Sequence, residues 1–383
     1  MTSQQQSKLR VVVIGAGIVG ASVAYQLSRR GVAVTVLERQ QPCSGASGHS
    51  FAWLNAFGKD PVSYHEFNRR SMDLWPRFAH DLGLDVGLHW GGEMRWTCTP
   101  EGAKALAQRV HQLQAWGYPS RLIDASELCE REPGLESGLV TAAAYGEIDG
   151  QVEPQKVVAA CLQRAQENGA SLHTTTTVTG FVQKQTEKNV QGVQTTQGDF
   201  ACDAVVLAAG LDTTALAALA GLNIPQQESP GVVARIAPRP RVLQTVSVLH
   251  TPDLDDAHPE IHLRQGTDGS LMIGEGSQES LNRDDSQAHA NDLLARATRY
   301  LPALAGALAV PVAVGYRPMP LDELPVIGFA QDVPNLYIAL MHSGVTLAPL
   351  LSQLASMEII DGARVNMLKA YRPERFSQNR SNA

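Results

Sequence analysis

The sequence predicts an α/β protein: a doubly wound domain on a parallel sheet, interleaved with an α+β domain built on a mixed, largely antiparallel sheet. Three observations carry this. Residues 9–38 read as one strand–turn–helix–strand unit around three closely spaced glycines. A continuous apolar run of the buried parallel type recurs at Ala204–Ala208, far along the chain. And 383 residues exceed the ~250–300 at which one core stops growing.

Taken in order, Leu9–Ile14 is the first strand, a helix runs from about Val19 to Arg30 with Gly31 as its stop, and Val32–Leu37 is the second strand. Pro42–Gly58, rich in small residues, reads as an extended loop. From Pro61 to Tyr145 the pattern is helical, with turns at Pro76, Gly83 and Gly117, and here the chain leaves the first domain. It returns with a helix at Val152–Gly169, a strand at Ser171–Thr179, and an alternating stretch, Phe181–Phe200, that reads as a small antiparallel meander. Residues 222–310 hold strands at Gly231–Ile236, Arg241–Leu249, Ile261–Arg264 and Ser270–Gly274, then one helix, Gln287–Leu301. A strand at Leu336–Leu340 and a helix from about Thr346 to Ile360 close the chain, with Pro349 in the helix's first turn and Gly362 past its end.

Composition excludes several classes. Lys and Arg total 31 against 38 for Asp and Glu, a net charge of −7 with no block of either sign, which disfavours nucleic acid. The five cysteines are scattered and odd in number, which fits neither a disulfide framework nor a zinc site and points to a reducing, cytoplasmic compartment. Lys8 and Arg10 before Val11–Ala24 imitate a secretory signal, but the three glycines explain that run otherwise. Every other long apolar stretch is broken by Asp, Pro or His before the ~18 residues of a membrane span, leaving only peripheral contact at the inner membrane open. His258 and His262 flank Glu260, but Pro259 interrupts any helix, so a zinc protease is rejected.

The chemistry begins at Gly15-Ala16-Gly17-Ile18-Val19-Gly20, between a strand and a helix, with Glu38 ending the next strand. Gly15 makes the tight turn, Gly17 admits a pyrophosphate to the backbone, Gly20 lets helix and strand pack, and Glu38 can accept from ribose hydroxyls. The helix N-terminus adds N–H donors. A dinucleotide is implied, and the acid at position 38 argues against a 2′-phosphate. This motif does not decide between NAD and FAD.

Further segments resemble the D-amino acid oxidase-type FAD oxidoreductases, the group of glycine oxidase, sarcosine oxidase and D-amino acid dehydrogenase. After Glu38-Arg39, the small-residue loop Ser44-Gly45-Ala46-Ser47-Gly48-His49-Ser50-Phe51-Ala52 is similar to the family's loop along the flavin. Thr177-Val178-Thr179-Gly180 resembles the site where backbone meets adenine, and Asp203–Gly210, ending in Ala209-Gly210, the second FAD stretch. Val314-Gly315-Tyr316-Arg317-Pro318 resembles the segment whose arginine holds the substrate carboxylate, a two-pronged contact that Lys does not reproduce. Met341-His342-Ser343-Gly344-Val345-Thr346 matches the loop and helix start at the flavin ring, where N–H groups stabilise negative charge. Ile261-His262-Leu263-Arg264 resembles the substrate-domain strand, with His262 where D-amino acid oxidase carries a tyrosine.

The resemblance implies a Rossmann-type FAD-binding domain from residues 1–60, 146–221 and 311–383, and a substrate domain from 61–145 and 222–310. FAD is expected to be non-covalent: His49 lies in the loop where a link could form, but histidyl-linked relatives carry Trp-His where this chain has Trp53-Leu54. The implied reaction moves a hydride from carbon next to nitrogen in an amino acid or secondary amine to flavin N5, with the amine neutral and the imine later hydrolysed; no catalytic base is strictly required. Oxygen, a quinone or a protein would reoxidise the flavin. The candidates to act on substrate are Arg317, His262, His49 and His342. The histidines keep open a 2-hydroxy acid dehydrogenase that uses one of them as base, and the departure at His262 keeps open a FAD-holding subunit that needs a partner. An NAD enzyme would use the first motif alone.

Overall fold

The computed structural model describes residues 8–184, 187–255, 257–276 and 281–376. Two sheets organise it. The first has six strands in the order Val326–Phe329, Leu336–Leu340, Ala204–Leu207, Arg10–Ile14, Ala33–Leu37 and Ser171–His173, all parallel except the antiparallel first. Strand alternation divides its core between two faces. Val11 and Val13 pack against the helices Ile18–Ser28, Pro154–Glu167 and Gly344–Asp361. Val12 and Ile14 face the opposite way, onto the meander Val178–Gln183, Val190–Thr195 and Gly198–Ala201. The expected α/β fold is thus present, and the apolar run Val11–Ala24 is a buried strand and helix. Among the described residues no helix is long and apolar enough to cross a membrane.

The second sheet has eight strands, in the order Ala309–Pro311, Val233–Ile236, Leu271–Glu275, Ile261–Gln265, Val248–His250, Glu93–Thr97, Ala142–Gly146 and Ser120–Ile123. All neighbours are antiparallel except Val248–His250 with Glu93–Thr97, where the two halves of the sheet meet. The helix Gln287–Tyr300 buries Leu293 and Ala297 against it.

Several expected elements are corrected. The stretch 61–145, helical by its period, contributes Glu93–Thr97, Ser120–Ile123 and Ala142–Gly146 to this sheet. These strands are short, and the helices Val62–Leu82 and Pro100–Ala115 between them set the dominant period. Pro76 is no turn but lies within Val62–Leu82, which ends at Gly83 in the left-handed conformation. Of the expected strand Arg241–Leu249 only Val248 and Leu249 pair, in the strand Val248–His250. Ser171–Thr179 is two strands in different sheets, separated at Thr175, whose φ is +53°. The last helix starts at Gly344, so buried Pro349 falls beyond its first turn.

Candidate functional site: two cavities that meet

The first cavity, of about 340 Å³, lies along the carboxyl ends of the parallel strands. Its floor is the glycine turn. Gly15 has φ +104°, and a Cβ there would stand 2.4 Å from the Ala208 carbonyl oxygen, so the turn abuts the neighbouring strand. Gly17 lines the cavity at the start of the helix Ile18–Ser28, whose first N–H groups have no intrahelical partner. Ser47 Oγ accepts from Ile18 N at 3.0 Å, fastening the small-residue loop to that helix start.

Glu38 and Arg39 line the same space. The Glu38 carboxylate accepts from Ala16 N at 2.9 Å and from Gln40 N at 2.8 Å, so it also clamps the turn. Arg39 pairs with Asp212 at 3.0 Å. Ile18, Val19, Ser44, Ala46, Val178, Ala209, Gly210, Gly344 and Val345 complete the expected lining. Ala16 and Gly20 do not reach it: Ala16 is fully buried, and Gly20 packs on the Gly15 carbonyl. Gly48 reaches neither cavity; its carbonyl accepts from Arg235 Nη2 at 3.1 Å. Thr177, in the segment expected at the adenine, lines it, and so do Cys43 and Thr176, which sequence reasoning did not single out.

The second cavity, of about 430 Å³, lies between the two sheets' loops. It shares Ala46, Ser50, Pro318, His342 and Val345 with the first, so the two are continuous. Phe51, Ala52, Ser343 and Thr346, expected beside the cofactor, line this second space, as do Arg317, His262, His49 and His342. The Arg317 side chain donates to the Pro230 carbonyl and to Ser229 Oγ, and its guanidinium crosses Gly231 so closely that a Cβ there would lie 2.8 Å from Nη2. The His262 ring meets Phe51 edge-on at 4.5 Å and covers Gly274. Burial, reinforced by His250, pushes its imidazole down to about 3. Burial, with Lys59 and Arg317 nearby, holds His342 well below the usual range as well. Both rings are neutral near pH 7. His49 Nδ1 is 3.1 Å from the Gly45 carbonyl, and its Cβ rests on Gly315.

Sequence reasoning missed a charged group in the wall of this cavity. Arg95, His250 and Glu260 line the cavity, with Glu93 and Asp149 fully buried behind them. Arg95 pairs with Glu93 and lies 3.9 Å from the Phe57 ring centre. His250 stands 3.6 Å from Glu260 and 3.8 Å from Glu93. Burial alone would raise the Glu260 carboxyl, but His250 and Arg95 outweigh it and hold it down to about 2. The signal that could have found the group is Glu93-Met94-Arg95, charged residues alternating with an apolar one, which the helical period on either side masks.

A family model described as DAO, FAD dependent oxidoreductase, matches residues 10–357. The chain belongs to this family. It is therefore a FAD-dependent oxidoreductase, and the expected activity, oxidation at a C–N bond of an amino acid or amine, holds. One of the subunits of opine oxidase from Agrobacterium tumefaciens (strain Ach5) is 27% identical across 96% of this chain and 97% of its own. Glycine oxidase of Geobacillus kaustophilus is 28% identical across 90% and 91%. Its crystal structure superposes with a TM-score of 0.83 over 96% of this chain and 99% of its own, at 26% identity. L-proline dehydrogenase from P. horikoshii also reaches 0.83, at 25% identity over 97% and 98%. The first cavity suits this family's cofactor: the turn packs tightly against the strand, Gly17 presents bare backbone, and an acid stands at the end of the second strand.

Proposed function

We propose that the chain oxidises an amino acid or N-substituted amino acid whose carboxylate is held by Arg317, with the reacting C–N bond at the junction of the two cavities. The observation that carries this reading is their continuity at His342, Val345 and Pro318, the last of which follows Arg317 directly in the chain. FAD held non-covalently in the first cavity supplies the hydride acceptor. Arg317 fixes the substrate's acid end, and neutral His262 beside it accepts or donates a hydrogen bond without competing for that charge. Phe51, Trp53 and Phe57 make the wall apolar and exclude water, while the start of the helix Gly344–Asp361 offers N–H groups towards the junction. With this reading we take 1–60, 146–221 and 311–383 as the cofactor-binding part and 61–145 and 222–310 as the substrate part, although residues of the first also line the second cavity.

Anaerobic flavin bleaching tests the reading across D- and L-amino acids, glycine, N-methylglycine and 2-hydroxy acids. Bleaching by an amine that Arg317→Ala suppresses, with FAD retained, supports it; bleaching by hydroxy acids alone refutes it. A second reading, a chain that needs a partner, is favoured by the relative that is itself a subunit of an opine oxidase and by exposed Leu308 and Val310 at the sheet-edge strand Ala309–Pro311. Full flavin content without bleaching by any compound would favour it.

A further inference from the structure

Four buried polar atoms lie in sequence behind the second cavity, each without a hydrogen-bond partner among the described residues: Asp149 Oδ2, Glu93 Oε2, and both ring nitrogens of His250. They are one connected feature. Asp149 Oδ1 accepts from Tyr118 Oη at 2.9 Å and from Trp53 Nε1 at 3.2 Å, so that oxygen carries no proton. Oδ2 points the other way. A Cβ on Gly146 would lie 2.4 Å from Asp149 Oδ2 and 3.4 Å from Glu93 Oε2, so both oxygens gather around the one spot left open by a glycine. Two ionised carboxylates turned to the same buried spot repel each other with only Arg95 to offset them, and one proton on Asp149 Oδ2, directed towards Glu93, removes the conflict. Burial, then Glu93, pushes the Asp149 carboxyl well above its ordinary range, in agreement.

Glu93 connects this pair to the cavity. Its Oε1 receives Arg95 and stands 3.8 Å from His250 Nε2. His250 is 6% exposed at its side chain yet lines the cavity, between Trp53 at 4.9 Å and His262 at 5.6 Å between ring centres. The charged and titratable groups facing it are Glu93 and Arg95 from one neighbouring strand, and Glu260 and His262 from the other. His262 is neutral, Arg95 is matched by Glu93, and Glu260 remains as a carboxylate towards which a protonated imidazole can turn.

We propose that Glu93 and Asp149 share one proton beneath the second cavity, and that this pair keeps His250 ready to take the proton a substrate ammonium must lose before its hydride leaves. The second half rests on the amine reading above. The step breaks one N–H bond of the substrate and forms one at a ring nitrogen of His250; no electrons change hands, and Glu260, 3.6 Å away, stabilises the imidazolium.

The FAD-loaded enzyme tests both halves. Infrared difference spectra at pH 7 of wild type against Asp149→Asn should show a protonated-carboxyl C=O band that the variant lacks, while the Asn amide donates to Glu93 and leaves the melting temperature near wild type. A wild type without that band overturns the shared proton. For His250, flavin reduction by N-methylglycine, glycine, D-alanine and L-proline is followed from pH 6 to 10. His250→Gln should slow reduction about 100-fold at pH 7, and the deficit should close at high pH, where the ammonium loses its proton unaided. A deficit constant with pH, or none, overturns the role of His250. If no amine reduces the wild-type flavin, the proposed function falls and the role of His250 with it, while the infrared band still decides the carboxylate pair.

Discussion

Gly17 and Gly20 stand three residues apart in one motif, yet the structure assigns them different work, and replacing each by alanine separates the two. A Cβ on Gly20 would lie 1.9 Å from the Gly15 carbonyl oxygen and 3.0 Å from its carbon. Both are backbone, so the helix Ile18–Ser28 must move off the turn by more than an ångström. Such overpacking costs about 1–3 kcal/mol, at the high end where backbone shifts. A Cβ on Gly17 meets only Ser47 Oγ, at 3.2 Å, a side chain that can yield. Gly17 is the helix N-cap with φ −75°, which alanine adopts freely, so the apoprotein should lose only about 0.5–1 kcal/mol of capping. Gly17 lines the first cavity, however, and Gly20 does not. Gly17→Ala should therefore keep the apoprotein's melting temperature within about 2 °C while weakening FAD about 100-fold, near 2.7 kcal/mol. Gly20→Ala should lower the apoprotein's melting temperature by about 2–6 °C. Melts of FAD-stripped protein and fluorescence titration with FAD measure both. Unchanged FAD affinity in Gly17→Ala, or an unchanged apo melting temperature in Gly20→Ala, would refute the assignment.

Arg317→Lys keeps the charge but loses the planar fork, and should raise KM for the bleaching amine at least 10-fold with FAD content unchanged; an unaltered KM would remove Arg317 from substrate binding. His262 takes up a proton in the unfolded chain near pH 6.5 but in the folded protein only near 3, so stability is full above pH 6.5 and falls as pH drops through that window. Between pH 6.5 and 5 His262 accounts for about 2 kcal/mol of loss in urea unfolding, beside what buried His342 loses in the same window, and His262→Gln should lessen the total by that amount. Glu260 adds a further loss below pH 4.5, since its folded carboxyl holds out to about 2. Arg372 forms a two-pronged pair with buried Glu358, which also accepts from Tyr337 Oη at 3.0 Å. Arg372→Leu should cost about 3–5 kcal/mol by stranding that carboxylate, and adding Glu358→Leu should recover part of it; equal thermal stability in single and double variants would count against this.

The cofactor half is legible because its determinants are local. The turn, the helix start and the acid at Glu38 fall within one short segment, where spacing encodes geometry. The strands at the centre of the first sheet likewise follow from short continuous apolar runs, each bounded by a glycine turn or a polar residue. The substrate half is not. Glu93–Thr97 and Ala142–Gly146 are five residues each, sit among helices, and gain their strand character from pairing with Val248–His250 and with each other. The intrinsic preference of Pro76 signals a turn, which the packing of Trp75 and Phe78 in the core overrides. Hidden strands hide the residues they carry: Arg95 comes to the cavity, with Glu93 buried behind it, only once their strand lies beside His250.

That difference in legibility has a chemical counterpart. One stretch of backbone suffices to hold a pyrophosphate, because N–H groups and a helix end are the same in any sequence. Holding a particular substrate needs side chains at angles to one another, and here they arrive from segments around residues 51–59, 93–95, 250–262 and 315–317. The residues that bring them into contact are themselves small: Gly231 under Arg317, Gly274 under His262, Gly315 under His49, and Gly146 beside the Glu93–Asp149 pair. Each allows a charged or ring side chain to lie against backbone where a Cβ would collide. Substitution at these glycines should therefore reshape the second cavity and leave the first intact, which places control over substrate choice in positions that carry no chemistry of their own.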